Sequence, residues 1–339
     1  MPNITEHENL RPFNTFGIEV FCDYFTELNA ISEFSELTKN EIYLNNNRLI
    51  IGGGSNILFT KDFNGLVIKN NLKGKEILAE DDQEVVVKIG AGESWHGFVM
   101  WCIDKGFCGV ENLSLIPGCV GASPMQNIGA YGIEIKEVFE ELDAYDMKEG
   151  NKRVFKKEEC HFGYRESVFK REYKDQFLIA SVSFRLKKKA QLNVSYGAIS
   201  DELKAAGIKD PGIKDVSEAV IRIRKSKLPD PAETGNAGSF FKNPEVPAEK
   251  FTALKKDFSQ LVAYALPNGN YKLAAGWLIE QCGLKGHEHN GAAVHTRQAL
   301  VLVNKNNCTG KDVYELSGYV LQKVFDKFGV TLEREVNII

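Results

Sequence analysis

The sequence predicts a protein of mixed α and β structure. Three features carry that expectation: short apolar strands broken by glycine turns in the first part, one alternating strand near the middle, and two amphipathic helices towards the C-terminus. Leu49-Ile50-Ile51 is an apolar strand that runs into Gly52-Gly53-Gly54-Ser55-Asn56. Leu66-Val67-Ile68 and Val85-Val86-Val87-Lys88-Ile89 are two more strands. Gly90-Ala91-Gly92 then opens a helix. Its apolar positions Trp95, Phe98, Val99, Cys102 and Ile103 recur at helical spacing, and Gly106 stops it. Across Phe177–Leu186, the residues Leu178, Ala180, Val182, Phe184 and Leu186 fall on one face, which predicts a half-buried strand ended by Lys187-Lys188-Lys189. In Lys227-Leu228-Pro229-Asp230-Pro231 the two prolines bar a helix and mark a boundary. A helix near Leu273–Leu284 places Ala274, Trp277, Leu278 and Cys282 on a face. A second follows Thr309-Gly310-Lys311-Asp312, with Val313, Leu316, Val320 and Val324 on a face and Gly329 after it. The closing segment Val330–Val336 reads as an alternating strand that points Glu333 and Glu335 the same way.

The 339 residues fit roughly two or three domains. Hydrophobic residues at 43% and charged residues at 26% predict a packed core rather than bulk disorder. A net charge of −4 gives no general attraction to nucleic acid or an anionic membrane, so basic groups that bind phosphate must act locally. Seven scattered cysteines, an odd number without a C-x-x-C pair, argue against a disulfide framework and a structural zinc site. His287-x-His289 and His295 read as a solvated loop, and no metal is expected. The N-terminus lacks a signal-peptide pattern and no apolar run approaches the ~20 residues of a membrane span, so the cytoplasm is the expected location.

Glycine segments let backbone N–H groups approach phosphate oxygens. One is Gly52-Gly53-Gly54-Ser55-Asn56. Another runs from Ile116-Pro117-Gly118-Cys119-Val120-Gly121-Ala122-Ser123-Pro124 into Gln126-Asn127-Ile128-Gly129-Ala130-Tyr131-Gly132. Either alone is compatible with a plain turn, but the length of the second implies an irregular backbone put to use. Gly90-Ala91-Gly92 competes as a Rossmann fingerprint, yet Trp95 stands at its third glycine position and would block close helix–strand packing.

Together with Asn14-Thr15-Phe16-Gly17, Phe162-Gly163-Tyr164-Arg165-Glu166-Ser167, Lys227–Pro231, Gly235-Asn236-Ala237-Gly238-Ser239-Phe240-Phe241-Lys242-Asn243-Pro244, Ala274-Ala275-Gly276-Trp277-Leu278-Ile279-Glu280 and Glu335-Val336, these segments resemble the UDP-N-acetylenolpyruvoylglucosamine reductases. The resemblance spans nearly the whole chain. It implies an α+β protein with a two-part FAD-binding fold of the vanillyl-alcohol-oxidase type and a C-terminal α+β substrate domain. The expected domains are 1–75 with 330–339, then 76–225, then 226–329. Ser195-Tyr196-Gly197 implies the subclass with a mobile tyrosine loop.

The implied reaction uses NADPH and FAD to reduce an enolpyruvyl ether linked to a UDP-sugar, a step in making peptidoglycan precursors. Hydride on the terminal carbon leaves negative charge on its neighbour, so the site needs donors aimed at that charge and one proton source. By resemblance Ser239 is that proton source, and Arg165 with Glu335 steadies the enolate. The arginine fork suits a carboxylate, whereas Glu335 helps only if protonated or bridged. On the bare sequence Ser239 reads as a turn serine, and Glu335 as a solvated strand face. Tyr196, Lys227, Asn243, Tyr264, Lys272 and Gln298 match positions that hold the UDP-sugar. FAD is expected along Gly52, Gly53, Gly54, Ser55, Asn56, Pro117, Gly118, Gly121, Ser123, Asn127, Gly129 and Tyr131, with Arg224 against the flavin. Gly52–Asn56 contains no histidine, so the expected FAD is non-covalent. The resemblance also suggests a monomer. Three other readings are a flavin oxidase of the same fold, a non-catalytic binder of flavin or UDP-sugar, and a Rossmann dehydrogenase.

Overall fold

The computed structural model describes residues 2–339. They form two compact units, one made of the residues up to Glu8 with Cys22–Gly54 and Phe63–Ser226, the other of Asn9–Phe21, Ser55–Asp62 and Lys227–Ile339.

The first unit holds two sheets. One orders the strands Ile4–Asn9, Phe21–Leu28, Phe63–Asn70 and Arg48–Ile51. Phe63–Asn70 runs parallel to both of its neighbours, with Val67 opposite Phe25 and Leu49. The other is antiparallel and orders Lys152–Lys156, Phe139–Asp146, Phe177–Lys187, Glu84–Gly90 and Lys75–Glu80. The helix Trp95–Lys105 lies on it because all five of its predicted apolar positions are buried. Phe98 stacks on Phe184 at 4.8 Å, and Trp95 meets Phe184 edge-on at 5.9 Å. Ser94 caps this helix through the Gly97 N–H, and Gly106 ends it at φ 75°.

The alternation expected for Phe177–Leu186 breaks part-way. Ser181 pairs with Asp143 but Ile179 pairs with Ala144, so Ala180 is an extra residue, a bulge. Leu178 and Ala180 therefore pack with Leu66 and Ile68, while Val182, Phe184 and Leu186 pack with the Trp95 helix. One strand thus serves two cores.

In the second unit an antiparallel sheet orders Gly235–Ser239, Val301–Asn304, Ala292–Val294 and Glu288–His289. The helix Gly310–Phe328 buries Val313, Leu316, Val320 and Val324 completely. Thr309 caps it by exchanging bonds with Asp312, and Gly329 closes it at φ 58°. The Asn14-Thr15-Phe16-Gly17 segment acts as a fastener. Buried Asn14 spans Leu10 and Ile18, while Thr15 trades bonds with Asn236. A Cβ on Gly235 would sit 2.1 Å from the Phe16 carbonyl oxygen, so only glycine allows that approach.

Two sequence expectations change. The helix predicted at Leu273–Leu284 is shorter, Ala275–Gln281, because Tyr271–Leu273 is a strand, and its buried face is Ala275, Leu278 and Ile279. Val330–Val336 is not a regular strand. It makes one bridge, Arg334 with Phe241, before the short strand Asn337–Ile338 pairs with Ile57–Leu58. Residues 330–339 group with 227–329 and with 55–62.

Candidate active site

The two glycine segments meet within the first unit. A Cβ on Gly53 would lie 2.8 Å from the Gly118 Cα, and one on Gly52 would touch the Cys119 side chain at 3.4 Å. Gly118 has φ 105° and Gly54 φ 61°, backbone that favours glycine. The second segment runs beside the start of the Trp95 helix, with Trp95 N–H donating to the Gly118 carbonyl and Gly121 N–H to Ala91. Gly121 has no room for a side chain, since its Cβ would be 2.5 Å from that of Ala91. Gly90 and Gly92 are used differently: each packs against the backbone of residues 71–74, with no Rossmann loop formed.

A cavity of about 120 Å³ opens between these segments, lined by Gly52, Gly121 and Ala122 and walled by Met125, Phe169 and Phe177. Backbone without side chains beside an apolar pocket fits a dinucleotide cofactor. A larger cleft of about 420 Å³ on the same unit contains none of the predicted site residues, and Arg185 within it is committed to Glu140 and Glu84.

Other predicted cofactor positions take distinct places. Asn127 is fully buried, and its side chain is spent on the protein: Nδ2 donates to Glu134 and the Gly163 carbonyl, and Oδ1 accepts from Lys136 N–H. The carboxamide braces the loop, and both of its hydrogens are taken within the protein. Ser123 is likewise buried and donates to the Val120 carbonyl at 2.7 Å. Pro117 is exposed. Arg224 Nε donates to the Leu115 carbonyl at 3.1 Å, one residue before Ile116-Pro117-Gly118. Burial pulls the Arg224 guanidinium pKa down, opposed by Tyr131 alongside it. Burial likewise pushes the Tyr131 hydroxyl up, opposed by Arg224. Ser55 and Asn56 belong to the second unit. There the Asn56 carbonyl accepts from Asn337 and its Nδ2 donates to the Glu335 carbonyl at 3.4 Å.

Arg165 sits at φ 55° in the tight Gly163–Glu166 turn, and its Nη2 donates to the Gly129 carbonyl at 2.7 Å. Ser239 and Glu335 belong to the second unit. The pairing of Gly235–Ser239 with Val301–Asn304 slips between Asn236 and Ser239, where Gly238 has φ 68° and its N–H is held by Asn236 Oδ1. That irregularity re-aims half-buried Ser239. Immediately after it, Glu335 N–H donates to the Phe240 carbonyl and Lys242 N–H to the Glu333 carbonyl. Ser239 and Glu335 thus end adjacent paired backbone segments. The two glutamates diverge in role, because Glu333 forms an ion pair with buried Lys242 at 2.6 Å.

Of the predicted UDP-sugar residues, three gather around the helix Ala275–Gln281. Asn243 Oδ1 accepts from Ala275 N–H at 2.9 Å, Gln298 Oε1 would lie 3.0 Å from a Cβ on Gly276, and Lys272 directly precedes the turn. Lys272 pairs across strands with Tyr264, so the two share a face. Lys227 is exposed at the end of the helix Ile213–Lys227. Tyr196, in the first unit, meets Tyr131 edge-on at 5.2 Å at the start of the helix Gly197–Ala205. Sequence reasoning missed Lys242 and Asn112; the only signal for Asn112 was a polar pair, Glu111-Asn112, inside an apolar run. Among the described residues His289, Asp312 and Glu315 bring ligand-type atoms within 4.8 Å of one another, but Asp312 already accepts from the Thr309 N–H at the helix cap and from Asn290.

Residues 230–339 match the family "UDP-N-acetylenolpyruvoylglucosamine reductase, C-terminal domain", and residues 43–152 match "FAD binding domain". A UDP-N-acetylenolpyruvoylglucosamine reductase of Flavobacterium johnsoniae is 49% identical over 337 residues, covering 99% of both chains. The chain belongs to the UDP-N-acetylenolpyruvoylglucosamine reductase family. A reductase of that name from Chromobacterium violaceum is 50% identical over 328 residues, 96% of each chain. A crystal structure of the Thermus caldophilus reductase covers 100% of this chain and 99% of its own at TM-score 0.68 and 22% identity, which speaks to fold. A p-cresol methylhydroxylase structure covers 96% of this chain and 83% of its own at TM-score 0.50 and 11% identity. Like the rest of the reductase family, this chain is an FAD-dependent oxidoreductase, with an FAD-binding domain joined to an α+β C-terminal domain. Among the described residues, no helix is long and apolar enough to cross a membrane.

Proposed function

We propose that the protein reduces UDP-N-acetylenolpyruvoylglucosamine to UDP-N-acetylmuramate with NADPH, in the cytoplasm and as a monomer, with Ser239 supplying the proton. The observation that carries this reading is the pairing of residues 240–242 with 333–335, which follows the irregularity that aims Ser239. The residues of the two glycine segments would hold FAD without a covalent bond. When bound, FAD supplies the hydride chemistry between NADPH and substrate.

The chain's own residues manage charge and the proton. Hydride reaches the terminal carbon of the enol ether, and the electron pair of the double bond moves to its neighbour and into the carboxylate. Arg165, already fixed through Gly129, presents its guanidinium to that carboxylate. Ser239 Oγ gives its proton to the carbanionic carbon, and solvent later restores the hydroxyl. Glu335, held through its backbone by Phe240 and Asn56, supports the enolate either protonated or bridged by a cation or water. Lys272 and Lys227 meet the diphosphate as point charges. Asn243, Gln298 and Tyr264 contact the nucleotide and sugar, and Tyr196 covers the ligand and excludes water. Residues 1–75 with 330–339, and residues 76–225, serve the cofactor, and 226–329 the substrate.

Ser239→Ala tests the proton assignment. Flavin reduction by NADPH should stay at the native rate, while turnover of the enolpyruvyl substrate falls by about 10²–10⁴-fold. Equal losses in both half-reactions would overturn it.

A further inference from the structure

We propose that Asn112 is a positioning residue for substrate closure, tying the Tyr196 segment to the second glycine segment. This rests on the reading that Tyr196 covers the substrate. Asn112 lies in a buried turn, Glu111–Leu113, just ahead of Ile116-Pro117-Gly118. It is 1% exposed. Its Nδ2 donates twice, to the Tyr131 carbonyl at 3.2 Å and to the Asn193 carbonyl at 2.9 Å. Tyr131 belongs to the second glycine segment, and Asn193 lies three residues before Tyr196. One amide group therefore clamps the two backbones that carry the edge-to-face rings of Tyr131 and Tyr196.

The choice of residue is informative. Asn112 Oδ1 is buried with no partner among the described residues, a costly arrangement for an acceptor. Turning the amide over would aim the oxygen at two carbonyls, so the observed orientation is the only one that bonds. A side chain kept despite an orphaned oxygen is kept for its two donors. The same turn reaches other parts of the site. Ser114 bonds Ser217 at 2.7 Å on the helix that carries Arg224, and the Leu115 carbonyl receives Arg224 itself. Leu115 has φ 57°, a strained conformation for leucine, so the surrounding contacts hold the turn in place. Asn193 adds a second tie on the accessible side. Its Nδ2 donates to the Gly132 carbonyl at 3.4 Å, and its Oδ1 accepts from the Ser195 N–H and hydroxyl. Asn112 therefore sets where Tyr196 rests, and a ligand under Tyr196 is bound through that setting.

The test uses the full FAD-loaded chain and the variants Asn112→Asp, Asn193→Ala and Tyr196→Ala. A carboxylate at 112 keeps the size and loses both donors. Asn193→Ala alters only the accessible tie and covers the case in which Asn112→Asp fails to fold. Three readouts are taken: amide hydrogen exchange at residues 191–197, KM and kcat for UDP-N-acetylenolpyruvoylglucosamine, and the rate of flavin reduction by NADPH. The proposal expects exchange at 191–197 to quicken at least tenfold in Asn112→Asp, less in Asn193→Ala. It expects KM for the UDP substrate to rise about as far as in Tyr196→Ala, with flavin reduction by NADPH at the native rate. Unchanged exchange and KM in a folded Asn112→Asp protein, or in Asn193→Ala if that protein alone folds, would overturn the tie. A loosened segment with native KM in both Asn112→Asp and Tyr196→Ala would overturn the role in closure and locate the failure in the reading of Tyr196.

Discussion

Replacing Gly53 with alanine strikes the contact on which the cofactor site is built. The new Cβ would stand 2.8 Å from the Gly118 Cα and 3.3 Å from its carbonyl carbon, both backbone atoms that cannot rotate away. The two glycine segments must part, and overpacking of that kind costs about 1–3 kcal/mol. If the strain falls on the arrangement that receives FAD, the dissociation constant for FAD rises roughly 5- to 150-fold, at tenfold per 1.4 kcal/mol. Titration of apoprotein with FAD, followed by quenching of flavin fluorescence, measures this directly. Gly97→Ala is the control. It lies in the helix Trp95–Lys105, its nearest neighbour would be the Ser94 Cβ at 3.5 Å, and it should leave FAD affinity unchanged while adding about 0.4–1 kcal/mol of stability. Native FAD affinity in Gly53→Ala, or an equal loss in Gly97→Ala, would refute the reasoning.

Further predictions concern bracing, charge and the reacting carboxylate. Asn127→Ala removes three part-buried hydrogen bonds and should cost about 2–4 kcal/mol in urea unfolding, whereas a cost under about 0.5 kcal/mol contradicts the bracing role. At Asp143 burial pushes the carboxyl pKa up, but Lys88 and Lys152, the latter at 3.1 Å, hold it below the ordinary range. A depressed folded pKa means stability that is present above the unfolded value near 4 and lost as pH falls through the folded one. Asp143→Asn should therefore cost about 1–3 kcal/mol at pH 7, with the deficit shrinking below pH ~4. A deficit that stays constant down to pH 3 contradicts the assignment. Arg165→Lys should slow reduction of the enolpyruvyl substrate by about 10²-fold while leaving flavin reduction by NADPH intact, since a lysine cannot keep both the Gly129 bond and a forked grip on a carboxylate.

What the sequence revealed follows from how local each determinant is. Helical spacing from Trp95 to Ile103 and the caps Ser94 and Gly106 act within a dozen residues, and the helix forms as read. The same holds for Thr309, Gly329 and the apolar face between them. Glycine density likewise marks both segments that meet at Gly53 and Gly118, although their contact joins residues far apart in the chain. Determinants supplied by distant partners stayed hidden. The bulge at Ala180 arises from pairing with Phe139–Asp146, so alternation alone assigns Leu178 and Val182 to one face. Glu333 and Glu335 look equivalent until Lys242 takes one of them. Asn127 sits in a cofactor-like motif, yet its side chain is consumed by Glu134, Lys136 and Gly163. Asn112 belongs to a short polar pair in an apolar run, and the two carbonyls that explain it are 19 and 81 residues away.

The most direct test of the whole account is an anaerobic absorption trace of the purified protein, with NADPH added first and UDP-N-acetylenolpyruvoylglucosamine second. The account predicts a flavin band that bleaches with NADPH and returns, without oxygen, on addition of the UDP substrate. A band that bleaches but returns only when air is admitted, or a colourless protein that cannot be reconstituted with FAD, would contradict it.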